Sequence, residues 1–390
     1  MKISKRVAGV EYAIRDIALV ARKLEKEGQK ITYLNIGDPV QYGFQPPENV
    51  KDAFINAIKK GQNYYAASEG LPELRNAIAQ KEKAKGLSVS EDDIIITNGV
   101  SEGLEMLMAS IVESGDEVLI PGPYYPPYAS YVRLFGGVPI EFSVDLNNST
   151  PDLDDIKSKI TSKTVAICLI SPNNPTGAVF NEKSLRDLVG IAAEHNLYII
   201  CDEIYDQIVF DEKFVGIGKV SGDSPVILVN GFSKVNLMSG WRIGYIAFNN
   251  SKKLDLLREN IPKLARVRIA SNLPVQYAAL ESLRGPQNYI SEFVSQLKKR
   301  RDYVIKRLNG MNGLNCSIPK GAFYAFPKIE NKKYSSDKEF VIDLLKSKGV
   351  LTVHGSGFGT QYGSGHFRMV FLPEINVLEP ALDKIEEFVA

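Results

Sequence analysis

Apolar positions in the middle of the chain fall in short unbroken runs. Asp93–Thr97 (DIIIT), Glu117–Pro121 (EVLIP), Val165–Ile170 (VAICLI), Tyr198–Asp202 (YIICD), Val226–Asn230 (VILVN) and Ile243–Phe248 (IGYIAF) each have the length of a strand. A run that stays apolar on successive residues reads as a buried parallel strand, because both faces must meet other protein. Between several of these runs the pattern becomes helical, as in Glu102–Glu113 and Asn181–His195. Strands alternating with helices predict an α/β fold with a mostly parallel sheet and helices on its faces. Ligands in such folds bind beyond the carboxyl ends of the strands.

The last third changes character. A long charged helix, about Gln287–Leu308, precedes the segment GAFYAFPKI, a second helix near Lys338–Lys348, and two strands, LTVHG and HFRMVF. These predict a smaller α/β domain, with the first forty-odd residues packed against it. The expected division is a large domain over 46–275 and a small one formed by 1–45 with 276–390.

Composition narrows the function classes. The chain has 390 residues, 44% hydrophobic and 24% charged, which is ordinary for a globular protein with a large core. A formal net charge of +1 offers no field for nucleic acid or an anionic membrane. Cys168, Cys201 and Cys316 lack paired or finger spacing, and His195, His354 and His366 form no HExxH-type pattern, which points away from a protein-ligated metal. Cys168 and Cys201 sit in apolar runs as small buried residues. The N-terminus has scattered charges and no signal-like apolar core, so a reducing cytoplasm is the expected location.

The polar residues of interest lie mostly just after predicted strands. In Gly231–Tyr245 (GFSKVNLMSGWRIGY), Ser233 and Lys234 follow a buried strand and Arg242 precedes another. A lysine can form an imine, while a hydroxyl and a guanidinium can hold a phosphate, so the trio suits a phosphorylated aldehyde cofactor. In YIICDEIYD, Asp202 ends a strand and Tyr205 follows within one turn. An aspartate there can simply cap a helix. It can also face the ring nitrogen of pyridoxal phosphate and keep it protonated, with Tyr205 donating to the phenolic oxygen. Asn174, in ISPNNPTGA, belongs to a turn sequence and can offer its amide to the same oxygen and to a substrate carboxylate. In TNGVSEGLEML a strand, a turn at Gly99 and a helix opening near Ser101 present the backbone N–H groups that bind phosphate. PGPYYPPY offers an aromatic ring to stack on a flat cofactor.

In this order the motifs resemble the class I, fold-type I, pyridoxal-phosphate-dependent aminotransferases. The resemblance runs from LNIGDP to HFRMVFL, and NYYAASEGLPELR, PGPYYPPY, SPNNPTGA, CDEIYD, GAFYAFPKI and HGSGFG are similar to the alanine-aminotransferase-like branch. It implies that Lys234 is the Schiff-base lysine, that Asp202 pairs with the pyridinium, and that Tyr205 and Asn174 contact the phenolic oxygen. It further implies that Tyr125 stacks on the cofactor, that Val100, Ser101, Ser233 and Arg242 hold the phosphate, and that Tyr65 reaches the phosphate of a neighbouring subunit. Arg368, with Gly37 and Asn174, would grip the substrate α-carboxylate. The implied protein is a homodimer with shared sites that moves an amino group from an L-amino acid, alanine first, to 2-oxoglutarate. Relatives commonly carry Ser-x-Ser-Lys where this chain reads Gly231-Phe232-Ser233-Lys234, so one phosphate hydroxyl is missing.

Other readings stay open at this level. An aspartate or broad-specificity aminotransferase, or a carbon–sulfur lyase on the same fold, would carry the same cofactor residues. A non-catalytic regulator would need an added DNA-binding segment for which there is no room. Gly355-Ser-Gly357-Phe-Gly359 resembles a dinucleotide loop, but a strand, and not the required helix with its later acidic residue, is expected after it. Arg15, Arg266 and Arg268 are the candidates for a second, side-chain-reading cation.

Overall fold

The computed structural model describes residues 4–8, 13–331 and 333–390. Its centre is an eight-stranded sheet. The strands are β1 (Ile94–Thr97), β2 (Glu117–Gly122), β3 (Val138–Asp145), β4 (Thr150–Pro151), β5 (Thr164–Ile170), β6 (Tyr198–Asp202), β7 (Val226–Gly231) and β8 (Gly244–Phe248). They lie in the order β1-β8-β7-β6-β5-β2-β3-β4. Pairing is parallel from β7 through β6, β5 and β2 to β3.

The run Ile243–Phe248, expected to be parallel, is instead antiparallel to both β1 and β7. The connection explains this. A parallel return needs a crossover, usually an α-helix. The segment between β7 and β8 holds only a 3₁₀ turn, Ser239–Trp241, so the chain folds straight back. The pattern also passed over β3, whose sequence VPIEFSVD is polar in part because the strand is only half buried.

Why the central runs are apolar throughout is visible in the packing. Ile94, Ile96, Leu119, Ile167, Leu169, Ile199, Cys201 and Leu228 face one core, covered by helices Pro72–Ala84, Glu182–Glu194 and Leu273–Arg284. Alternate residues, Ile95, Val118, Ile120, Ala166, Cys168, Ile200 and Ile227, face the other, covered by helices Val100–Ile111, Pro127–Leu134 and Asp255–Val267. Successive side chains of a strand point to opposite faces, so a sheet sandwiched between two helix layers has no polar face.

A third core gathers the C-terminal third with the N-terminal segment: Ile17, Ala21 and Leu34 pack with Phe293, Leu344, Phe367, Met369 and Leu382. Thr32–Tyr33 pairs in parallel with Val350–Leu351, which ties the two chain ends together. A small antiparallel sheet of Tyr324–Ala325, Phe367–Val370 and Val353–His354 faces the carboxyl rim of the large sheet. Tyr205 and Ile208, just beyond β6, join this core. No helix among the described residues is long and apolar enough to cross a membrane.

Candidate active site

The carboxyl ends of β1, β2, β5, β6 and β7 open onto one cavity of about 530 Å³. Because β8 runs backwards, a residue just before it sits on the same rim as residues just after the others, which is how Arg242 arrives there. Gly37, Val100, Ser101, Tyr125, Asn174, Asp202, Tyr205, Ser233, Lys234, Arg242 and Arg368 all line this cavity. Tyr65 does not; its side chain is 79% exposed on the surface.

Lys234 donates from Nζ to the Gly37 carbonyl at 2.6 Å. Burial pushes its pKa down to about 8, with Arg368 and Arg242 adding repulsion against the opposing pull of Asp38 and Asp202. An amine at that value is partly neutral near pH 7, unlike an ordinary lysine at about 10.4. Asp202 is 4% exposed. Its Oδ1 accepts from the Ile204 N–H at 2.9 Å and its Oδ2 from the Tyr128 hydroxyl at 2.9 Å. Burial pushes Asp202 up to about 6, opposed by those two hydrogen bonds and by Lys234. A buried carboxyl with so few charged neighbours is poised to take a cationic partner.

Arg368 is 1% exposed and lies between two aromatic rings, 4.6 Å from the Tyr324 centroid and 4.7 Å from Phe358. It donates from Nη1 to Asn174 Oδ1 at 2.8 Å and from Nη2 to the Asn35 carbonyl. A guanidinium only donates, so Asn174 must turn its oxygen to Arg368, and its amide N–H groups are left for the cavity. The Tyr205 hydroxyl meets the Tyr324 hydroxyl at 2.7 Å.

The other end of the cavity is a donor corner. Gly99, at φ +82°, turns the chain into the helix Val100–Ile111. A Cβ on Gly99 would lie 2.4 Å from Arg242 Nη2, so only glycine lets the guanidinium stand against this turn. Arg242 donates to the Ser239 carbonyl at 3.1 Å. Ser101, Ser233, Arg242 and the helix N-terminus together make a set of donors of the kind that phosphate requires. The cavity's only carboxylates, among its described lining residues, are Asp38 and Asp202. The first is engaged by Ser239 Oγ at 2.6 Å and the Val40 N–H at 3.2 Å. A phosphate, an imine-forming aldehyde and a protonated ring nitrogen therefore each find matching chemistry, and pyridoxal phosphate fits the donor set.

Gly231, where the resemblance leads to the expectation of a serine, has no room for one. A Cβ there would stand 2.9 Å from Gly244 Cα and from the Ile243 carbonyl on the neighbouring strand. Of the three candidate side-chain-reading arginines, Arg268 is committed to Glu102 at 3.3 Å and to the Ser68 carbonyl at 2.8 Å. Arg266 pairs with Glu69 at 3.7 Å, and neither lines the cavity. The Arg15 side chain lies outside the described residues. Sequence reasoning passed over Tyr128, Tyr324, Asp38 and Ser239 as site residues. Tyr128 and Tyr324 sit inside the motifs PGPYYPPY and GAFYAFPKI, so the available signal was the further aromatic residues of each motif.

A family model for aminotransferases of class I and II matches residues 29–385. The chain belongs to the class I and II aminotransferases. A solved alanine aminotransferase of Pyrococcus furiosus is 49% identical, with a TM-score of 0.97 over 100% of this chain and 99% of that one. Glutamate-pyruvate aminotransferase AlaA of Haemophilus influenzae is 38% identical over 99% of this chain and 98% of its own length. The alanine aminotransferase of Mycobacterium bovis is 35% identical over 99% and 92%. In the aminotransferase the glycine-rich run at 355–359 is no dinucleotide loop. It forms a 3₁₀ turn, Gly355–Phe358, whose Phe358 carbonyl accepts from the Tyr124 N–H at 2.8 Å beside the site.

Proposed function

We propose that this aminotransferase transfers the amino group of L-alanine to 2-oxoglutarate, giving pyruvate and glutamate, with pyridoxal phosphate on Lys234. The observation that carries the choice of donor is the cation inventory. Among the described residues lining the cavity, the cations are Lys234, Arg242 and Arg368. Lys234 is assigned to the aldehyde and Arg242 to the phosphate corner, which leaves Arg368 to read one α-carboxylate. A second carboxylate on the donor, as in aspartate, has no further cation among these described residues, whereas Ile14 and Ile36 on the cavity wall offer apolar surface to a methyl group. Glutamate's longer chain would be met through water. The names of the relatives support the same choice.

In this assignment Asp202 pairs with the ring nitrogen, Tyr205 and Asn174 donate to the phenolic oxygen, and Tyr125 stacks on the ring. Val100, Ser101, Ser233 and Arg242 hold the phosphate, and Arg368, Gly37 and Asn174 seat the substrate carboxylate. When bound, the cofactor supplies an aldehyde for imine formation and a ring that withdraws electrons from the substrate α-carbon. The protein's own work is acid–base and positional. Lys234 Nζ, a partly neutral amine with a pKa of about 8, would take the proton from the substrate α-carbon and pass it to the cofactor's imine carbon in the same half-reaction, and would carry a proton the opposite way, onto the acceptor's α-carbon, in the reverse half-reaction. Positioned proton transfer of this kind contributes about 10²–10⁴-fold. Arg368 and Asn174 fix the carboxylate, so that the α-hydrogen faces Lys234. The exposed Tyr65 completes the phosphate site of a second copy, which makes the active unit a homodimer.

Two measurements test the reading. Borohydride reduction followed by peptide mapping should place the cofactor on Lys234 alone. A donor screen with 2-oxoglutarate should favour alanine over aspartate by at least about tenfold in kcat/KM, since tenfold is about 1.4 kcal/mol. A better rate with aspartate would move the chain to another substrate branch. Release of ammonia or thiol without an oxo-acid acceptor would mark a carbon–sulfur lyase instead.

A further inference from the structure

Tyr324 joins the two halves of the site. Its strand pairs with Phe367–Val370, the strand that carries Arg368. The Arg368 guanidinium lies over its ring at 4.6 Å, and its hydroxyl stands 2.7 Å from that of Tyr205. The two tyrosine rings cross edge to face, with centroids 5.9 Å apart at 86°. Both are buried, Tyr324 at 1% and Tyr205 at 3% exposure. Gly37 makes this approach possible. A Cβ there would fall 2.2 Å from the Tyr324 hydroxyl, and the Gly37 carbonyl is also the acceptor for Lys234.

A phenol has one proton to donate. If Tyr205 gives its proton to Tyr324, it has none for a cofactor oxygen. If Tyr324 gives its proton to Tyr205, the Tyr205 proton is directed into the cavity. We propose that Tyr324 is a positioning residue that donates to Tyr205 and thereby aims the Tyr205 hydroxyl at the cofactor's phenolic oxygen, while its ring couples this pair to Arg368. The inference rests on the reading above that Tyr205 faces that oxygen.

The charges around the pair favour this direction. Tyr324 carries the Arg368 cation on its ring face, and a nearby positive charge makes a phenol a better donor. Tyr205 instead has Asp202 and Tyr125 as its other polar neighbours, and burial, followed by Tyr324 itself and then by those two groups, raises its pKa well above the usual value. The cation on the Tyr324 ring face and the carboxylate near Tyr205 both favour Tyr324 as the donor of the pair. Tyr42 also feels the charges of Arg368 and Asp38 and the Tyr324 phenol, and Lys234 Nζ lies 5.8 Å from the neighbouring Phe323 ring. Chains of hydrogen bonds polarise one another, so donation by Tyr324 strengthens donation by Tyr205.

The test is a double-variant cycle on the loaded enzyme, read by the pH midpoint of the visible absorbance change of the bound cofactor without substrate. Tyr324→Phe removes the hydroxyl and keeps the ring on Arg368. A donor to the phenolic oxygen favours its anionic form, so weakening that donor should raise the midpoint, by roughly half a unit to one unit. Tyr205→Phe should raise it further, and adding Tyr324→Phe to Tyr205→Phe should move it no more, because the two act through one bond. Thermal melting of the cofactor-free variants checks that they fold. Tyr324→Leu, which also removes the ring, should raise KM for the amino acid by at least about threefold, whereas Tyr324→Phe leaves it within about twofold. An unchanged midpoint in Tyr324→Phe, or additive shifts in the double variant, overturns the proposal. An unchanged midpoint in Tyr205→Phe alone overturns the contact between Tyr205 and the cofactor, and the proposal with it.

Discussion

Asp202 is where the needs of folding and of cofactor binding diverge. Its carboxyl is buried, held by the Ile204 N–H and the Tyr128 hydroxyl, and raised to about 6. The unfolded value is about 3.9. A carboxyl raised on folding contributes stability that is fully present below its unfolded pKa and lost as pH rises through the folded value. In the cofactor-free protein the ionised carboxylate therefore costs about 2–3 kcal/mol at pH 8. Asp202→Asn keeps an oxygen for Ile204 and turns an amide to the Tyr128 oxygen, which can accept. The cofactor-free variant is expected to be more stable than the parent by that amount at pH 8, and equal to it near pH 4, as urea denaturation at the two pH values will read. A variant no more stable at pH 8 would show that the carboxylate is already compensated. With cofactor bound the order should reverse, because the pyridinium then loses its counter-ion. Sequence alone marked Asp202 but not its support: Tyr128 lies 74 positions away, and Tyr324 lies 119 from Tyr205. Contacts at that separation leave no periodic trace, so Tyr128 and Tyr324 passed as packing.

At the scale of elements, legibility follows burial. Strands such as Thr164–Ile170 and Tyr198–Asp202 were readable because both faces meet helices, which enforces an unbroken apolar run. Val138–Asp145 was not, because its half-exposed positions admit Glu141 and Pro139. Strand direction was beyond the pattern altogether: a buried strand reads alike in either sense, and only the missing crossover before Gly244–Phe248 reveals the reversal. That reversal has a chemical consequence. It places Gly231 opposite Gly244, and Gly244 in turn against the Gly99–Val100 turn, where a Cβ would lie 2.8 Å from the Val100 nitrogen. Two facing glycines thus bring the lysine-bearing strand, the arginine-bearing strand and the helix N-terminus together. Gly231→Ser, which restores the serine of many relatives, should not tighten cofactor binding. It should destabilise the fold by about 1–3 kcal/mol, the usual cost of overpacking against backbone. Thermal melting with and without cofactor will read this, and a variant that binds cofactor more tightly at unchanged stability would show that the strands part easily.

For the whole molecule, residues from the large sheet, from the small sheet and from the N-terminal segment meet in one cavity. Arg368 comes from the C-terminal strands, Gly37 and Asp38 from the N-terminal segment, and Lys234 and Asp202 from the large sheet. Away from that cavity lining, a single copy leaves aromatic and apolar side chains in solvent. Tyr65 is 79% exposed and Tyr64 63%, and Val267 and Ile269, at 82% and 50%, add apolar surface. The Ser68 hydroxyl donates to the Ile269 carbonyl at 2.6 Å, so the Tyr64–Ser68 loop and the end of helix Asp255–Val267 form one surface. An apolar, aromatic-rich surface of this kind is characteristic of an interface core. A two-fold dimer uses the same patch twice, so a tyrosine given by each copy to the other makes two composite sites. The consequence can be measured without a further structure. Tyr65→Phe subunits lack the donated hydroxyl in both sites, and Lys234→Ala subunits lack the lysine in both. When the two are unfolded together and refolded, a hybrid dimer holds one site that carries both defects and one that carries neither. Random pairing makes about half of the dimers hybrid, each with one intact site, so the mixture should regain about a quarter of wild-type turnover per site. Recovery at that level, with mixed dimers confirmed by mass, supports sites shared across the interface. Activity no higher than the average of the two parents, despite verified exchange, would mean that each chain builds its phosphate site alone and that the exposed tyrosine serves only to join the copies.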